Sequence, residues 1–276
     1  MVRLIASDMD GTLLDDEKNL PADFGKMLDT IEKLGMKFVI ASGRSYSALE
    51  YLFGDMCKRL DFICDNGAYV VVDGKPYEPS VIPDKSVKDI IRICEETGNT
   101  SPVLCGEKGI YYPKSAQKQF EKEVNNFYIN FNAVENLCEV DDNIFKIAIC
   151  DILNPVNNIY PVMKEKYENQ FSLQVSGPLW MDVMNKGVDK GKALAAIRKK
   201  LGISKSEVMA FGDYYNDISL LNEAEYSYTM ANACEDMHKY SAYRTLSNNE
   251  NGVIKAIYDY IGSIKDENKK TFLYNK

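Results

Sequence analysis

A chain of 276 residues with 45% hydrophobic content is long enough for one large domain or two, and it can bury an ample core. A formal charge of −8 and a pI near 4.9 argue against a general nucleic-acid or membrane-surface binder, so an anionic ligand would need locally placed cations. The only histidine, His238, lies on a polar stretch late in the chain and reads as a surface residue; a multi-histidine zinc site is excluded, and a Ser-His-Asp triad would have this one base.

Leu4–Ser7 reads as a strand, followed by a helix over about Ala22–Leu34, a strand at Lys37–Ala41, a helix near Tyr46–Leu52 and a strand at Phe62–Cys64. Leu28, Ile31 and Leu34 give the first helix an apolar face, and Gly35 stops it. This alternation predicts a doubly wound, Rossmann-like α/β core with a parallel sheet. Ala68–Val72 then meets Asp73-Gly74, a hairpin signal, and the rhythm changes.

From about Pro83 the pattern becomes helix Lys85–Thr97, strands Ser101–Leu104 and Gly109–Tyr111, helix Ser115–Asn126, strand Phe145–Cys150, helix Pro155–Tyr167, and strands Phe171–Val175 and Met181–Met184. We read residues 83–185 as an inserted α+β unit, a cap, and residues 1–82 and 186–276 as the core. The parallel rhythm resumes with helix Lys190–Leu201 between Asp189 and Gly202, then strands Val208–Phe211, Tyr226–Met230 and Tyr243–Leu246, and helix Gly252–Ile261. The last dozen residues are polar and are expected to fray. Seven scattered cysteines without a Cys-x-x-Cys pair read as reduced core residues. The start of the chain lacks a signal-peptide pattern and no apolar run reaches membrane length, so the expected location is cytoplasmic and the expected partner is not a membrane.

The most informative run is Asp8-Met9-Asp10-Gly11-Thr12-Leu13-Leu14, which delivers two carboxylates from a strand end to a loop. In an open parallel sheet, ligands bind beyond the carboxyl ends of the strands. At this spacing one acid can face phosphorus as nucleophile and the other can reach the leaving oxygen as acid and then base. Gly11 lets the backbone turn, and Thr12 offers a hydroxyl and an N–H to an anion. A solvated turn or a calcium loop shares this pattern. Ser42-Gly43-Arg44 follows the next strand as a phosphate-binding arrangement, or Ser42 is simply a helix N-cap. Lys190 opens a helix, where the macrodipole disfavours a cation; a transferring phosphoryl group would explain it, and a solvated lysine is the plain alternative. Gly212-Asp213-Tyr214-Tyr215-Asn216-Asp217 is a second acidic loop after a strand, and carboxylates from two strands suit Mg²⁺.

Taken in order with Asp65-Asn66-Gly67-Ala68 and Asp189-Lys190-Gly191, these runs resemble the haloacid dehalogenase superfamily, and more narrowly its Cof-type sugar-phosphate phosphatases with a large α+β (C2-type) cap. The resemblance spans essentially the whole chain. It implies that Asp8 forms an aspartyl-phosphate, that Asp10 serves as acid and base, and that Ser42 and Lys190 hold the phosphoryl group. It further implies Mg²⁺ ligation by Asp8, the Asp10 carbonyl and Asp213, with Asn216 and Asp217 as ligands or supports. Gly11, Thr12, Gly43, Arg44 and Asn66 would approach the phosphate or substrate, and Asn232 lies on a late loop near the site. Tyr111, Tyr112 and Trp180 could stack on a sugar or ring, with core packing as the alternative. The expected partner is a small phosphorylated metabolite, and the protein a monomer or small homo-oligomer. A phosphomutase and a non-catalytic binding protein on the same scaffold are the competing functions.

Overall fold

The computed structural model describes residues 1–116, 118–128 and 131–274. In chain order it contains β1 (Leu4–Asp8), α1 (Phe24–Lys33), β2 (Lys37–Ala41), α2 (Tyr46–Phe53), β3 (Asp61–Cys64), β4 (Tyr69–Val72), β5 (Lys75–Pro76) and α3 (Asp84–Thr97). There follow β6 (Thr100–Gly106), β7 (Ile110–Pro113), α4 (Lys118–Phe127), β8 (Phe131–Val134), β9 (Ile144–Asp151), α5 (Ile159–Tyr167), β10 (Phe171–Val175) and β11 (Trp180–Asn185). The chain then forms α6 (Lys190–Leu201), β12 (Val208–Gly212), α7 (Ile218–Leu221), β13 (Tyr226–Thr229), β14 (Tyr243–Arg244) and α8 (Gly252–Tyr274).

Eight strands form one sheet in the order β14-β13-β12-β1-β2-β3-β4-β5, parallel from β14 to β3 and antiparallel at β4 and β5. Every residue of β1 is buried, as expected for a central parallel strand with both faces covered. Phe24, Ile31, Val253 and Ile257 from α1 and α8 pack on one face, and Leu194, Ile197 and Leu220 from α6 and α7 on the other. This is the expected doubly wound core. Because β1 runs between β2 and β12, the connections leave it in opposite directions, and a crevice opens beyond its carboxyl end.

The second sheet has the order β10-β11-β9-β6-β7-β8, antiparallel except for the β7–β8 pair. α3 and α5 cover one face through Ile90, Ile147, Met163 and Val183, whereas Phe120 and Val124 of α4 meet Ala148, Cys150 and Trp180 on the other. Phe145 stacks on Tyr69 at 4.5 Å between ring centroids, joining the two sheets. The connecting segments are held together where Asn185 Nδ2 donates to the Val81 carbonyl at 2.9 Å.

Several boundaries depart from expectation. β8 and the two-residue β5 lack an apolar alternation strong enough to announce them: Asn132 and Ala133 of β8 and both residues of β5 are exposed. The strand expected at Gly109–Tyr111 begins and ends later, and the helix expected from Ser115 begins at Lys118, with Gln117 outside the described residues. The closing helix continues past Ile261 to Tyr274; of the end expected to fray, residues 275 and 276 lie outside the described residues.

Candidate active site

β1 ends at Asp8, and the next residues fold into a tight loop in which the Leu13 and Leu14 N–H groups both donate to the Met9 carbonyl, at 3.0 and 2.9 Å. Gly11 takes φ +82°, and a Cβ there would lie 2.5 Å from Asp213 Oδ2. Glycine fits where the two acidic loops touch without displacing the Asp213 side chain. Thr12 closes the contact by donating its hydroxyl to Asp213 Oδ1 at 2.9 Å.

Lys190 stands at the first turn of α6, behind the Asp189 N-cap, whose carboxylate accepts from the Lys192 N–H at 2.8 Å. Its ammonium donates to Asp8 Oδ1 at 2.5 Å and to Asp217 Oδ1 at 2.6 Å, and the side chain is 1% exposed. Burial alone would lower the Lys190 pKa, but the Asp8 and Asp217 charges raise it, so the group is an ammonium. The plain alternative of a solvated lysine is thereby removed. The other oxygen of Asp217 accepts from the backbone N–H groups of Asp213 and Tyr214, at 3.2 and 3.3 Å. Asp217 thus orients both the lysine and the loop.

Among the described residues, Asp8, Asp213 and Asp217 form a group whose carboxylate oxygens lie within 4.8 Å of one another. Burial pushes the Asp8 carboxyl well above its ordinary range, the Asp217 and Asp213 charges push the same way, and Lys190 pulls against them. Asp213 is likewise raised, by burial and then by Asp217, against the Thr12 hydrogen bond, and it shares a hydrogen bond with Asp8. One lysine does not balance three carboxylates. The oxygen-only donor set and this crowding fit a hard divalent cation. Asp217 has both oxygens engaged, so Asp8 and Asp213 are the better placed to face the ion.

At the end of β2, the Ser42 N–H donates to the Ile63 carbonyl at 2.8 Å, and Ser42 Oγ accepts from the Arg44 N–H at 3.1 Å. The N-cap of α2 is Ser45, not Ser42. The Asp65 and Asn66 N–H groups donate to the Arg44 and Ser42 carbonyls at 2.9 and 3.0 Å, so the loop after β3 is fastened to the Ser42 loop. Asp65 and Asn66 both take left-handed conformations, φ 47° and 55°, and the Asn66 amide lies 3.3 Å from where a Gly43 Cβ would be. Two such residues in succession mark a strained segment.

Asp10 is not part of the three-carboxylate group and is gripped by Arg44, whose Nε and Nη2 donate at 2.9 and 2.6 Å; Lys18 lies 3.1 Å away. Burial opposes ionisation of Asp10, but these two cations hold its carboxyl below the ordinary value. Asn216 is exposed and separate from the acidic group, at the rim of a cleft of about 610 Å³ that also meets Asn66, Lys190, and Ser172 and Gln174 of β10. Asn232 braces the first loop, donating to the Gly11 carbonyl at 2.7 Å. Tyr111 and Tyr112 are spent within the second sheet, on Asp142 and Phe131, whereas Trp180 belongs to the α4-side core and also lines a cavity. His238 is exposed.

Two contributors carried little sequence signal. Lys18 sits in an irregular polar loop where nothing periodic marks it. Lys146 is the one charge in the apolar run Ile144–Cys150, and that interruption is a readable sign; it is buried, 2.5 Å from Asp65.

A family model of haloacid dehalogenase-like hydrolases matches residues 5–257. The 5-amino-6-(5-phospho-D-ribitylamino)uracil phosphatase YbjI of Escherichia coli (strain K12) is 32% identical over 265 residues, covering 93% of this chain and 95% of that one. The YcsE protein of Bacillus subtilis (strain 168), named for the same activity, is 26% identical over 260 residues, covering 94% and 96%. A solved HAD subclass IIB sugar phosphatase superposes with a TM-score of 0.75 at 25% identity, covering 94% of this chain and 99% of that one.

Proposed function

This chain belongs to the haloacid dehalogenase-like hydrolase family and is a phosphoric monoester hydrolase of its Cof-type branch; we propose that it hydrolyses small phosphorylated metabolites with Mg²⁺, through an aspartyl-phosphate on Asp8. The observation that carries the reading is the buried Lys190 held between Asp8 and Asp217, with Asp213 crowded against Asp8. Residues 83–185 then act as the cap that selects the substrate, and residues 1–82 and 186–276 as the core.

In the first half-reaction an Asp8 carboxylate oxygen attacks phosphorus, the bond to the leaving oxygen breaks, and Asp10 gives that oxygen a proton. Lys190 fixes the attacking carboxylate and, with the Ser42 hydroxyl and loop N–H groups, offsets charge on the phosphoryl oxygens. In the second, Asp10 as carboxylate takes a proton from the water that attacks the aspartyl-phosphate, and inorganic phosphate leaves. Asp10 clamped by Arg44 and Lys18 is in the form suited to this second step. Proton donation in the first step requires those contacts to be exchanged when substrate arrives. Mg²⁺ held by Asp8, Asp213 and the Asp10 carbonyl, with Asp217 behind them, would neutralise charge on the transferring group.

The ester named for the E. coli and B. subtilis relatives, a ribitylaminouracil phosphate, is the first substrate to test. Phosphate release from it, from sugar phosphates and from nucleotide and cofactor phosphates is measured with and without Mg²⁺, for wild type beside Asp8→Asn. Turnover that needs both metal and Asp8 is expected; release indifferent to both would overturn the reading.

A further inference from the structure

The face of the second sheet that carries α4 bears a polar row. Strand register sets Lys146 of β9 beside Met184 of β11, and Asp182 beside Ala148, so Lys146 and Asp182 are diagonal neighbours on one face. Both are buried, at 4% and 9% exposure. Burying opposite charges is unfavourable unless each is paired. Lys146 already has Asp65 at 2.5 Å and donates to the Gly43 carbonyl at 3.3 Å, which leaves one of its three N–H donors. Asp182 feels the Lys146 charge and lies beside Ser176, and among the described residues no cation lies within ion-pair distance of it. Lys146 therefore serves one carboxylate at close range, Asp65, and a second, Asp182, only at a distance.

That carboxylate faces a cavity of about 180 Å³. Its walls include the rings of Tyr128 and Trp180, 5.9 Å apart and edge to face, and its floor is Gly43 and Arg44. An apolar cavity of roughly 150 Å³ holds a benzene-sized guest, so a single ring fits by size. The floor is the Ser42 loop itself, and Arg44 holds Asp10. A phosphoryl group at Asp8 and Ser42 would leave the rest of the ester to extend into this space.

We propose that this cavity is the leaving-group pocket, and that Lys146 and Asp182 are its specificity residues for a planar heterocycle presenting a carbonyl-type acceptor to the ammonium and an N–H or amino donor to the carboxylate, against Tyr128 and Trp180. The inference rests on the phosphatase reading and deepens it. A site whose buried polar groups need partners rejects substrates that lack them. A polyol phosphate leaves Asp182 unanswered by a ring donor and presents no face to Tyr128 and Trp180.

The test compares kcat and KM for the ribitylaminouracil phosphate and for glycerol 3-phosphate in wild type, Asp182→Asn and the milder Ser176→Ala. Asp182→Asn is expected to lower the preference for the ring-bearing ester about tenfold, through its KM, and Ser176→Ala to move it the same way by less. Both esters slowed by one common factor, or an unchanged preference, would overturn the pocket assignment while leaving the phosphatase reading intact. If Asp182→Asn fails to fold, Ser176→Ala decides by the same criterion. No phosphate from either ester with wild type would instead overturn the phosphatase reading, and the pocket assignment with it.

Discussion

Arg44 grips both carboxylate oxygens of Asp10 in a two-point fork, at 2.9 and 2.6 Å, and thereby ties the Ser42 loop to the Asp8 loop. Lysine cannot reproduce that fork. A hydrogen bond to a charged group contributes about 1.5–3 kcal/mol. Arg44→Lys should therefore slow hydrolysis of the aspartyl-phosphate and lower kcat by about tenfold to a hundredfold, with the fold intact by circular dichroism. Unchanged kinetics would show that the grip belongs only to the resting enzyme.

Lys190 is the only cation at the three-carboxylate group among the described residues, so Lys190→Met leaves those acids without a counter-charge. Removing one member of a buried pair destabilises by about 3–5 kcal/mol. Denaturant unfolding should show a loss of that size in metal-free buffer and a smaller one with Mg²⁺, since a cation at Asp8 and Asp213 would offset part of the repulsion. Phosphate release should be lost in both buffers.

Gly11→Ala places a Cβ 2.5 Å from Asp213 Oδ2 at a φ of +82°. The obstructing atom ends a side chain, so Asp213 can move and the fold should survive. The Mg²⁺ concentration for half-maximal activity should rise about tenfold to a hundredfold. Stability without metal should change by no more than the strain of one left-handed alanine, about 1–2 kcal/mol.

Gly191→Ala differs in kind. Its Cβ would meet the Ser219 backbone carbonyl oxygen at 2.3 Å, where α6 crosses α7. Backbone cannot swing aside, and overpacking typically costs about 1–3 kcal/mol. Urea unfolding should show a stability loss of that size, read as a lower midpoint at an unchanged slope. Activity should fall as well, because α6 carries Lys190 and the loop before α7 carries Asp217.

The core and its acids were legible because a central parallel strand is largely apolar and must end in a loop; Asp8 ends β1 and Asp213 directly follows β12. What the residues around Ser42 could not decide was whether it binds or caps, since Ser45, three positions on, has the same chemistry and is the cap. Asp217 could be placed near the metal group, but its two-sided engagement with Lys190 and the loop N–H groups depends on how α6 and α7 pack. Nor could the Asp10 clamp be foreseen, because Lys18 and Arg44 reach it from separate loops. The second sheet was the least legible part. β8 is half-exposed and carries no clear alternation, and Tyr111 and Tyr112 engage Asp142 and Phe131 rather than a ligand.

The central claim is a covalent phosphoryl group on Asp8, and the most direct test is to trap it. Enzyme is mixed with Mg²⁺ and a hydrolysable ester, quenched in acid during turnover, and treated with borohydride, which reduces an acyl phosphate to the alcohol. Peptide mapping should then find homoserine at position 8 in wild type and nowhere in Asp8→Asn. Steady phosphate release with aspartate intact at position 8, or continued release by Asp8→Asn, would contradict the account.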